Sequence, residues 1–293
     1  MIKNKWYVIL ESKEVKKNQV IGVTRLGEKL ALWRNENNEL SCIYDVCTHR
    51  GASLSGGKIV HNKLQCPFHG FEYNSDGKVE VIPANGRSTP VPNRYKVNSY
   101  IVKEKHGFIW LWYGDDCKDL PEIEFFSDLD DGFSYGSFKE KWNVHYTRAI
   151  ENQLDVVHLP FVHDTTIGKG DKELVNGPVV TWKDDFMKYY VDNEKDLGQK
   201  PKKPSEIENY EQLYSLELIM PNIWQNIIGD DIRVMAAFAP IDEENTMIYL
   251  RFYQRFVKVP LVKDLVNFLA SQYNKIVLHQ DREVVLTQKP KKS

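Results

Sequence analysis

Two short segments of the chain each pair a cysteine with a histidine. Cys47 and His49 are separated by one residue, Cys66 and His69 by two, and 16 residues between the pairs leave room for a β-hairpin. Two thiolates and two neutral imidazoles are the ligands of a [2Fe-2S] cluster that carries two cysteines on one iron and two histidines on the other, and the imidazoles raise its reduction potential. A structural zinc site is the alternative, although zinc ligand pairs usually have spacers of two to four residues.

A second polar group lies in segment 143–163. The pattern predicts a helix from Asn143 to about Leu159. Pro160 lacks a backbone N–H, so we expect it to break this helix and let His163 turn toward His158. Two histidines and a carboxylate hold Fe(II) and leave coordination positions open for dioxygen and substrate. A polar stripe that faces solvent is the alternative. The predicted polar face consists of Arg148, Asn152, Asp155 and His158, and the apolar face of Ile150, Leu154, Val157 and Phe161.

The third ligand is expected on the last predicted helix. Continuing its apolar spacing from Tyr273 and Val277 leads to Asp281, where a hydrophobic residue would belong. A buried, unpaired carboxylate is costly, and metal coordination would remove that cost. Glu283 and His279 are expected at the surface. The apolar positions that predict this helix are Val262, Leu265, Val266, Leu269, Tyr273, Ile276 and Val277.

The elements that must position these residues fall into two domains. Short β-type runs separated by turns up to about Gly114 predict an all-β N-terminal domain. The acidic segment 114–132 lacks periodicity, and we place the boundary there, with domains 1–118 and 119–293. The second domain is expected to combine an antiparallel sheet with helices. Its predicted strands lie near 179–191, 210–220, 232–241 and 246–256, with a polar loop over 192–208.

Composition excludes several classes of protein. The 293 residues include 39 Lys and Arg and 41 Asp and Glu, so there is no broad basic surface for nucleic acid. No apolar run reaches the roughly 18 residues of a membrane span, and the N-terminus lacks the features of a secretory signal, so we expect a cytoplasmic protein. Four cysteines argue against a disulfide scaffold; they are Cys42, Cys47, Cys66 and Cys117.

The motifs resemble those of a known family. CTHRGASL and CPFHGFEYNSDGKV are very similar to the cluster loops of Rieske proteins of the ring-hydroxylating oxygenase type. Asn152-x-x-Asp155-x-x-His158-x-x-x-x-His163 is similar to the mononuclear-iron motif of the same enzymes, and QDREVVLTQKP resembles the segment with their carboxylate ligand. The chain therefore resembles Rieske non-haem iron oxygenases, of the type with only alpha subunits, over nearly its whole length. Phe71 stands where the family usually has tryptophan.

This resemblance implies an α+β fold, with an N-terminal Rieske domain and a helix-grip, START-like catalytic domain. It implies a [2Fe-2S] cluster on Cys47, His49, Cys66 and His69, and a mononuclear Fe(II) on His158, His163 and Asp281. Asp155 and Asn152 would be catalytic residues, with Asp155 linking His158 to His69 of the partner subunit in a homotrimer.

The implied reaction is hydroxylation or oxidative demethylation of a small aromatic, alkaloid or polycyclic substrate by O2. Electrons would come from a separate NAD(P)H-dependent reductase or ferredoxin, since no dinucleotide-binding GxGxxG motif follows a predicted strand. An electron-transfer protein without oxygenase activity and an inactive ligand-binding protein of the same fold are the alternatives. Candidate cavity residues are Phe186, Tyr189, Tyr190, Tyr214, Met220, Trp224 and Phe238, although aromatic residues in strands are more often core.

Overall fold

The computed structural model describes residues 1–115, 118–129 and 132–293. Contacts divide the chain into two compact units, Met1–Ile123 with Pro240–Asp242, and Glu124–Ala239 with Glu243–Ser293. The boundary predicted after residue 118 stays a prediction, because Cys117 beside it lies outside the described residues. Three residues of the acidic segment 114–132 also lie outside the described residues, namely Asp116, Asp130 and Asp131.

The described part of the first unit is built from short antiparallel strands. They form three sheets, with orders β1-β10-β9, β2-β3-β4 and β5-β6-β7-β8. The all-β character predicted for this half is confirmed. The strands are β1 (Lys5–Glu11), β2 (Val20–Arg25), β3 (Glu28–Arg34), β4 (Leu40–Tyr44), β5 (Lys58–Val60), β6 (Lys63–Gln65), β7 (Glu72–Tyr73), β8 (Val79–Val81), β9 (Val102–Lys105) and β10 (Phe108–Tyr113).

The centre of this unit is β3, in which four consecutive residues from Leu30 to Trp33 are at most 1% exposed. Successive side chains of a strand point to opposite faces, so both faces of β3 are covered. Trp33 belongs to a buried cluster that also contains Cys47, Cys66 and Tyr73. The two cysteine loops therefore rest on the hydrophobic core of the unit.

The second unit is a seven-stranded sheet with order β11-β17-β16-β15-β14-β13-β12, accompanied by helices. This confirms the predicted α+β class. The strands β16 and β17 were expected, whereas β11 and β15 were not. The elements are β11 (Ser134–Trp142), α1 (Tyr146–Leu154), α2 (Leu159–Val162), β12 (Leu174–Lys183), β13 (Phe186–Glu194), β14 (Tyr214–Ile219), β15 (Ile223–Ile228), β16 (Ile232–Pro240), β17 (Thr246–Gln254) and α3 (Pro260–Val285).

The helix predicted from Asn143 to Leu159 is shorter than expected. His145, not Asn143, caps α1, because its side chain accepts a hydrogen bond from the backbone of Thr147. The helix ends at Leu154, six residues before Pro160, since Asp155 has extended backbone angles. Pro160 instead lies in the first turn of α2, where its missing N–H costs nothing. The apolar face predicted across this break is wrong at its end, where Val157 and Phe161 are 51% and 63% exposed.

Helix α3 packs against β11 and β17 with a different face from the one predicted. The apolar residues Leu265, Leu269 and Ile276 are exposed. The buried face follows a spacing of four and three residues, and its fully buried members are Asn267, Ser271, Leu278, Asp281 and Val285. None of the helices in the described ranges is both long and apolar enough to cross a bilayer.

Candidate functional site

The two cysteine loops of the first unit have the same local construction. Gly51 donates its backbone N–H to the carbonyl of Cys47 at 2.9 Å, and Gly70 donates to the carbonyl of Cys66 at 3.1 Å. Both glycines have positive φ angles, 72° and 74°, which side chains other than glycine rarely allow. Each loop thus turns tightly enough to bring its histidine to the same side as its cysteine.

The loops bring the four predicted cluster residues together. Cys47 and Cys66 are each 3% exposed, whereas His49 and His69 lie at the surface. The Nδ1 atoms of the two histidines are 3.2 Å apart. Two nitrogens bound to one metal at about 2.1 Å are about 3.4 Å apart at a tetrahedral angle. The donor set and its spacing therefore fit a centre with the imidazoles on one metal and the thiolates on the other.

Hydrogen bonds surround the sulfur atoms. The hydroxyl of Tyr73 donates to the Sγ of Cys47 at 3.1 Å. Burial raises the pKa of the Cys66 thiol, backbone hydrogen bonds from Phe68 and His69 lower it, and Cys47 raises it again, leaving it raised overall. Phe71, which replaces the family's usual tryptophan, stacks on His49 with 5.0 Å between ring centres.

The second predicted metal site forms at the ends of α2. His158 is the residue before this short helix and His163 the residue after it, so one helical turn between them places both rings on the same side. Asp281 comes from the buried face of α3. The candidate ligand atoms of these three residues all lie within 4.8 Å of one another. The two histidines and the carboxylate predicted from sequence are thus adjacent.

One oxygen of Asp281 faces both imidazoles. Its Oδ1 is 3.0 Å from the Nε2 of His163 and 3.2 Å from the Nε2 of His158. Burial alone would raise the pKa of Asp281, but the two histidines lower it to about 2. Burial lowers the pKa of His158, and the carboxylates of Asp155 and Asp281 outweigh this and raise it to about 9. Such a concentration of donors around one point suits a divalent cation.

Gln280 and Thr166 support this triad, and neither was predicted from the sequence. The Nδ1 of His163 lies 2.9 Å from the Oε1 of Gln280, which also accepts a hydrogen bond from the hydroxyl of Thr166 at 2.8 Å. Gln280 Oε1 can only accept, so Nδ1 of His163 carries the proton and Nε2 is free to bind a metal. Gln153 donates to the second oxygen of Asp281 at 3.3 Å. Apart from adjacency to Asp281, no sequence pattern identifies Gln280.

Asp155 and Asn152 lie beside the triad. The side chain of Asp155 is 48% exposed, and its Oδ2 is 3.9 Å from the Nδ1 of His158. Its Oδ1 accepts a hydrogen bond from the backbone N–H of Val157 at 2.7 Å. The Nδ2 of Asn152 is buried and has no hydrogen-bond partner. Asp155 therefore reaches both His158 and the surface of its unit.

A cavity of about 440 Å³ opens from the triad. Leu216 pairs with Asn226 and Leu218 with Trp224 in the sheet, so alternate residues of β14 and β15 share one face. Tyr214 and Trp224 line this cavity, as predicted; the other five candidates are not part of its described lining. Glu283 is exposed, and His279 lies 2.7 Å from Glu140, away from the triad.

Two family models match the chain. The Rieske [2Fe-2S] domain matches residues 5–101, and the vanillate O-demethylase oxygenase C-terminal domain matches residues 142–293, more than half of the chain. The first match favours an iron-sulfur cluster over zinc.

Relatives support both matches. Methylxanthine N1-demethylase NdmA of Pseudomonas putida is 27% identical over 280 residues, 94% of this chain and 73% of that protein. Chlorophyllide a oxygenase of Chlamydomonas reinhardtii is 36% identical over 172 residues, 58% of this chain and 26% of that protein. Vanillate O-demethylase oxygenase subunit of a Pseudomonas strain is 33% identical over 61% of this chain and 49% of its own length. The matched part of the chain thus spans about a quarter of the length of chlorophyllide a oxygenase and about half of the length of the vanillate O-demethylase subunit.

Solved structures share the fold. NdmA of Pseudomonas putida superposes with a TM-score of 0.79 over 99% of this chain and 83% of its own, at 22% identity. Dicamba monooxygenase bound to dicamba superposes with a TM-score of 0.78 over 98% of this chain and 87% of its own, at 20% identity. Both structural likenesses extend across the Rieske and the oxygenase matches. The chain belongs to the Rieske oxygenases, with a catalytic half of the vanillate O-demethylase type.

Proposed function

We propose that this protein is the terminal oxygenase of an electron-transfer system, and that it hydroxylates or oxidatively demethylates a small organic substrate. The observation that carries the proposal is the triad of His158, His163 and Asp281, the last two buried, beside a mainly apolar cavity. When bound, the [2Fe-2S] cluster would supply single electrons and the ferrous ion would supply dioxygen activation. The side chains of the protein would hold the two metal centres and position the substrate.

These side chains hold and orient the site. His163 is 1% exposed and Asp281 4%, so the inner end of the cavity is shielded from bulk water. Gln280 orients the ring of His163, and Gln153 orients the carboxylate of Asp281. A site held in this way costs little reorganisation when it binds a metal. The apolar walls, among them Leu216, would hold the substrate by excluding water.

We further propose that electrons pass between chains of a homotrimer. Asp155 lies at the surface of its unit beside His158, and His49 and His69 lie at the surface of theirs. A carboxylate that bonds to a metal-bound histidine of each centre would orient both and shorten the route between them. Light scattering of the reconstituted protein tests the trimer, since a monomer would remove this route.

The electron donor is proposed to be a separate reductase or ferredoxin. Its docking site would lie near His49 and His69, where Phe68 is 64% exposed. Phe68 and His69 lie 3.9 Å apart between ring centres. An apolar ring beside an exposed cluster histidine suits a transient electron-transfer partner.

The alternative, an electron carrier without oxygenase activity, does not account for the triad. Two histidines and an aspartate converge beside an apolar cavity, and electron transfer through a cluster in the other unit gives this arrangement no role. A carrier would need the cluster alone, and the vanillate O-demethylase match over residues 142–293 also disfavours it.

Iron analysis tests the proposal directly. An oxygenase should contain about three irons and two acid-labile sulfides per chain, and a carrier only the two cluster irons. Asp281→Ala should lose about one iron and leave the visible spectrum of the cluster unchanged; retention of the third iron would exclude Asp281 as a ligand. Asp281→Glu is the matched control that keeps the carboxylate. Substrate-dependent oxygen uptake with a reductase then separates an active oxygenase from an inactive binding protein.

A further inference from the structure

The charge of the cavity beside the triad restricts what it can bind. Its described lining contains neither lysine nor arginine, and its ionised groups other than histidine are Asp155 and Asp281. These two carboxylates would together balance a divalent ion at the triad. Arg148 on the adjacent helix α1 is held by Glu151 and by the carbonyl of Pro290, so it does not supply a cation to the cavity.

The remaining polar groups of the wall are neutral. Asn274 donates its side-chain N–H to the carbonyl of Ala270 at 2.9 Å, which leaves its Oδ1 as an acceptor. Burial raises the pKa of Tyr214, and a hydrogen bond with Asn226 only partly opposes this, so Tyr214 is a neutral phenol. The amide of Asn226 and the hydroxyl of Tyr214 therefore form a neutral polar edge.

The other walls are apolar, and the cavity has an open end. Leu216 and Trp224 are 2% and 4% exposed and form the inner wall. Ile228 and Ile167 are 43% and 51% exposed, and they mark where the cavity reaches solvent. A volume of about 440 Å³ lies within the range that takes small organic ligands.

We infer that the substrate of this site, taken as an oxygenase site as proposed above, is an uncharged and mainly apolar molecule with one polar edge, and that organic carboxylates are excluded. An anion in this cavity would lose its hydration without meeting a lysine or arginine, and it would face the carboxylate of Asp155. The charge of an iron at the triad would not offset this cost, because Asp155 and Asp281 already balance it. A neutral amide, ketone, phenol or heteroaromatic ring would lose less hydration energy, since Asn274, Asn226 and Tyr214 can form hydrogen bonds with it. The polar edge selects among neutral compounds, and the lack of a lysine or arginine excludes acids.

Matched pairs of ligands test the inference. A panel of aryl carboxamides and their carboxylates, beginning with 3-methoxybenzamide and 3-methoxybenzoate, is titrated into the iron-reconstituted protein without oxygen, near neutral pH where the acids are ionised. Ligand-observed NMR and calorimetry measure binding without turnover. Neutral members should bind, and their acids should bind at least about 100-fold more weakly. Acids that bind as tightly as their amides, or a panel without any neutral ligand, would overturn the inference.

A charge added at the cavity mouth provides the reverse test. Ile228→Lys places a cation where the native side chain is 43% exposed, so the charge is tolerated. It should improve the binding of the acid relative to that of the amide about tenfold, whereas Ile228→Gln, of similar length without charge, should not change this ratio. An unchanged ratio in Ile228→Lys would count against a charge-based exclusion.

The same samples separate this inference from the oxygenase proposal. Iron content and oxygen uptake are measured in parallel with binding. If the triad holds no iron but amides still bind in preference to acids, the oxygenase proposal fails and the charge selection stands. If iron and oxygen uptake are present but acids bind equally well, only the charge selection fails.

Discussion

Uptake of ferrous iron by the metal-free protein should release protons. The carboxylates of Asp155 and Asp281 outweigh the effect of burial and raise the pKa of His158 from 6.5 to about 9. At neutral pH this ring is therefore protonated, and it must lose its proton before it can bind a metal. Asp281, with a pKa lowered to about 2, is already ionised and releases none. We expect His158 to contribute about one proton per iron bound at pH 7.

The pKa of about 9 for His158 also sets the size of the pH dependence of iron binding. Between pH 7 and about 10 the apparent affinity for iron should rise by up to about tenfold per pH unit, and by about 100-fold in all. This corresponds to about 2.7 kcal/mol, at about 1.36 kcal/mol per tenfold. Above about pH 10 the deprotonation of His158 is nearly complete, and its contribution becomes constant.

Stability of the metal-free protein should change in the opposite direction. A raised pKa of His158 means that the folded state binds the proton more tightly than the unfolded chain. The resulting stabilisation, about 3 kcal/mol, is fully present below pH 6.5 and is lost as the pH rises through about 9. The pH dependence from Asp281 has the opposite sign. Its lowered pKa stabilises the folded protein above pH 3.8, and this stabilisation is lost as the pH falls through about 2.

Calorimetry measures the proton count. Anaerobic titrations with Fe(II) in buffers of different ionisation enthalpy give the number of protons released, and chelator competition from pH 6 to 10 gives the affinity. Asp155→Asn removes one of the causes of the raised pKa, so its proton release at neutral pH should decrease. His61→Gln, at an exposed position in the other unit, is the control and should match the native protein. An affinity independent of pH, with no proton release, would refute the charged pair of His158 and Asp281.

Three further variants examine the neighbours of the metal ligands. Gln280→Leu removes the hydrogen-bond acceptor for His163 and should weaken iron binding about 10- to 100-fold in chelator competition. Gln280→Glu keeps an acceptor and should retain iron binding. Equal losses of iron affinity in both variants would contradict a role of Gln280 in orienting the imidazole. Tyr73→Phe removes a hydrogen bond to Cys47 that is worth about 1 kcal/mol. The midpoint potential of the cluster should therefore fall by about 40 mV in a redox titration. An unchanged potential would exclude that hydrogen bond. Asp155→Asn should leave both metal sites filled and slow reoxidation of the reduced cluster in stopped-flow experiments; a native rate would exclude the proposed bridge.

The cluster residues were predictable because their geometry is local. Each loop needs only a cysteine, a histidine and a glycine within five residues, and the short strands between the loops hold them side by side. The triad histidines were also predicted, but for the wrong structural reason. Pro160 does not break a long helix; the chain leaves α1 at Asp155, and α2 then places His158 and His163 at its two ends.

The supporting residues were not predictable, because they depend on contacts between distant segments. Gln280 is 117 residues from His163 in sequence, and no periodicity connects them. The strand β15 was missed as well, although it carries Trp224 and Asn226 of the cavity wall. Asparagine is depleted in strands, and the adjacent Gln225 and Asn226 interrupt the alternation of apolar and polar residues that predicts a strand over Ile223–Ile228.

Helix α3 explains why a partly wrong prediction still found Asp281. Its apolar residues predicted a core-facing stripe, yet the buried stripe contains Asn267 and Ser271. The cause is a close approach to β11, where a Cβ on Gly136 would lie only 2.3 Å from the carbonyl oxygen of Asn267. At that separation large side chains do not fit between helix and strand, so small and polar residues form the contact. Leu278 and Asp281 continue this buried line, at intervals of seven and three residues after Ser271, and the tight packing therefore places the carboxylate of Asp281 beside the two histidines.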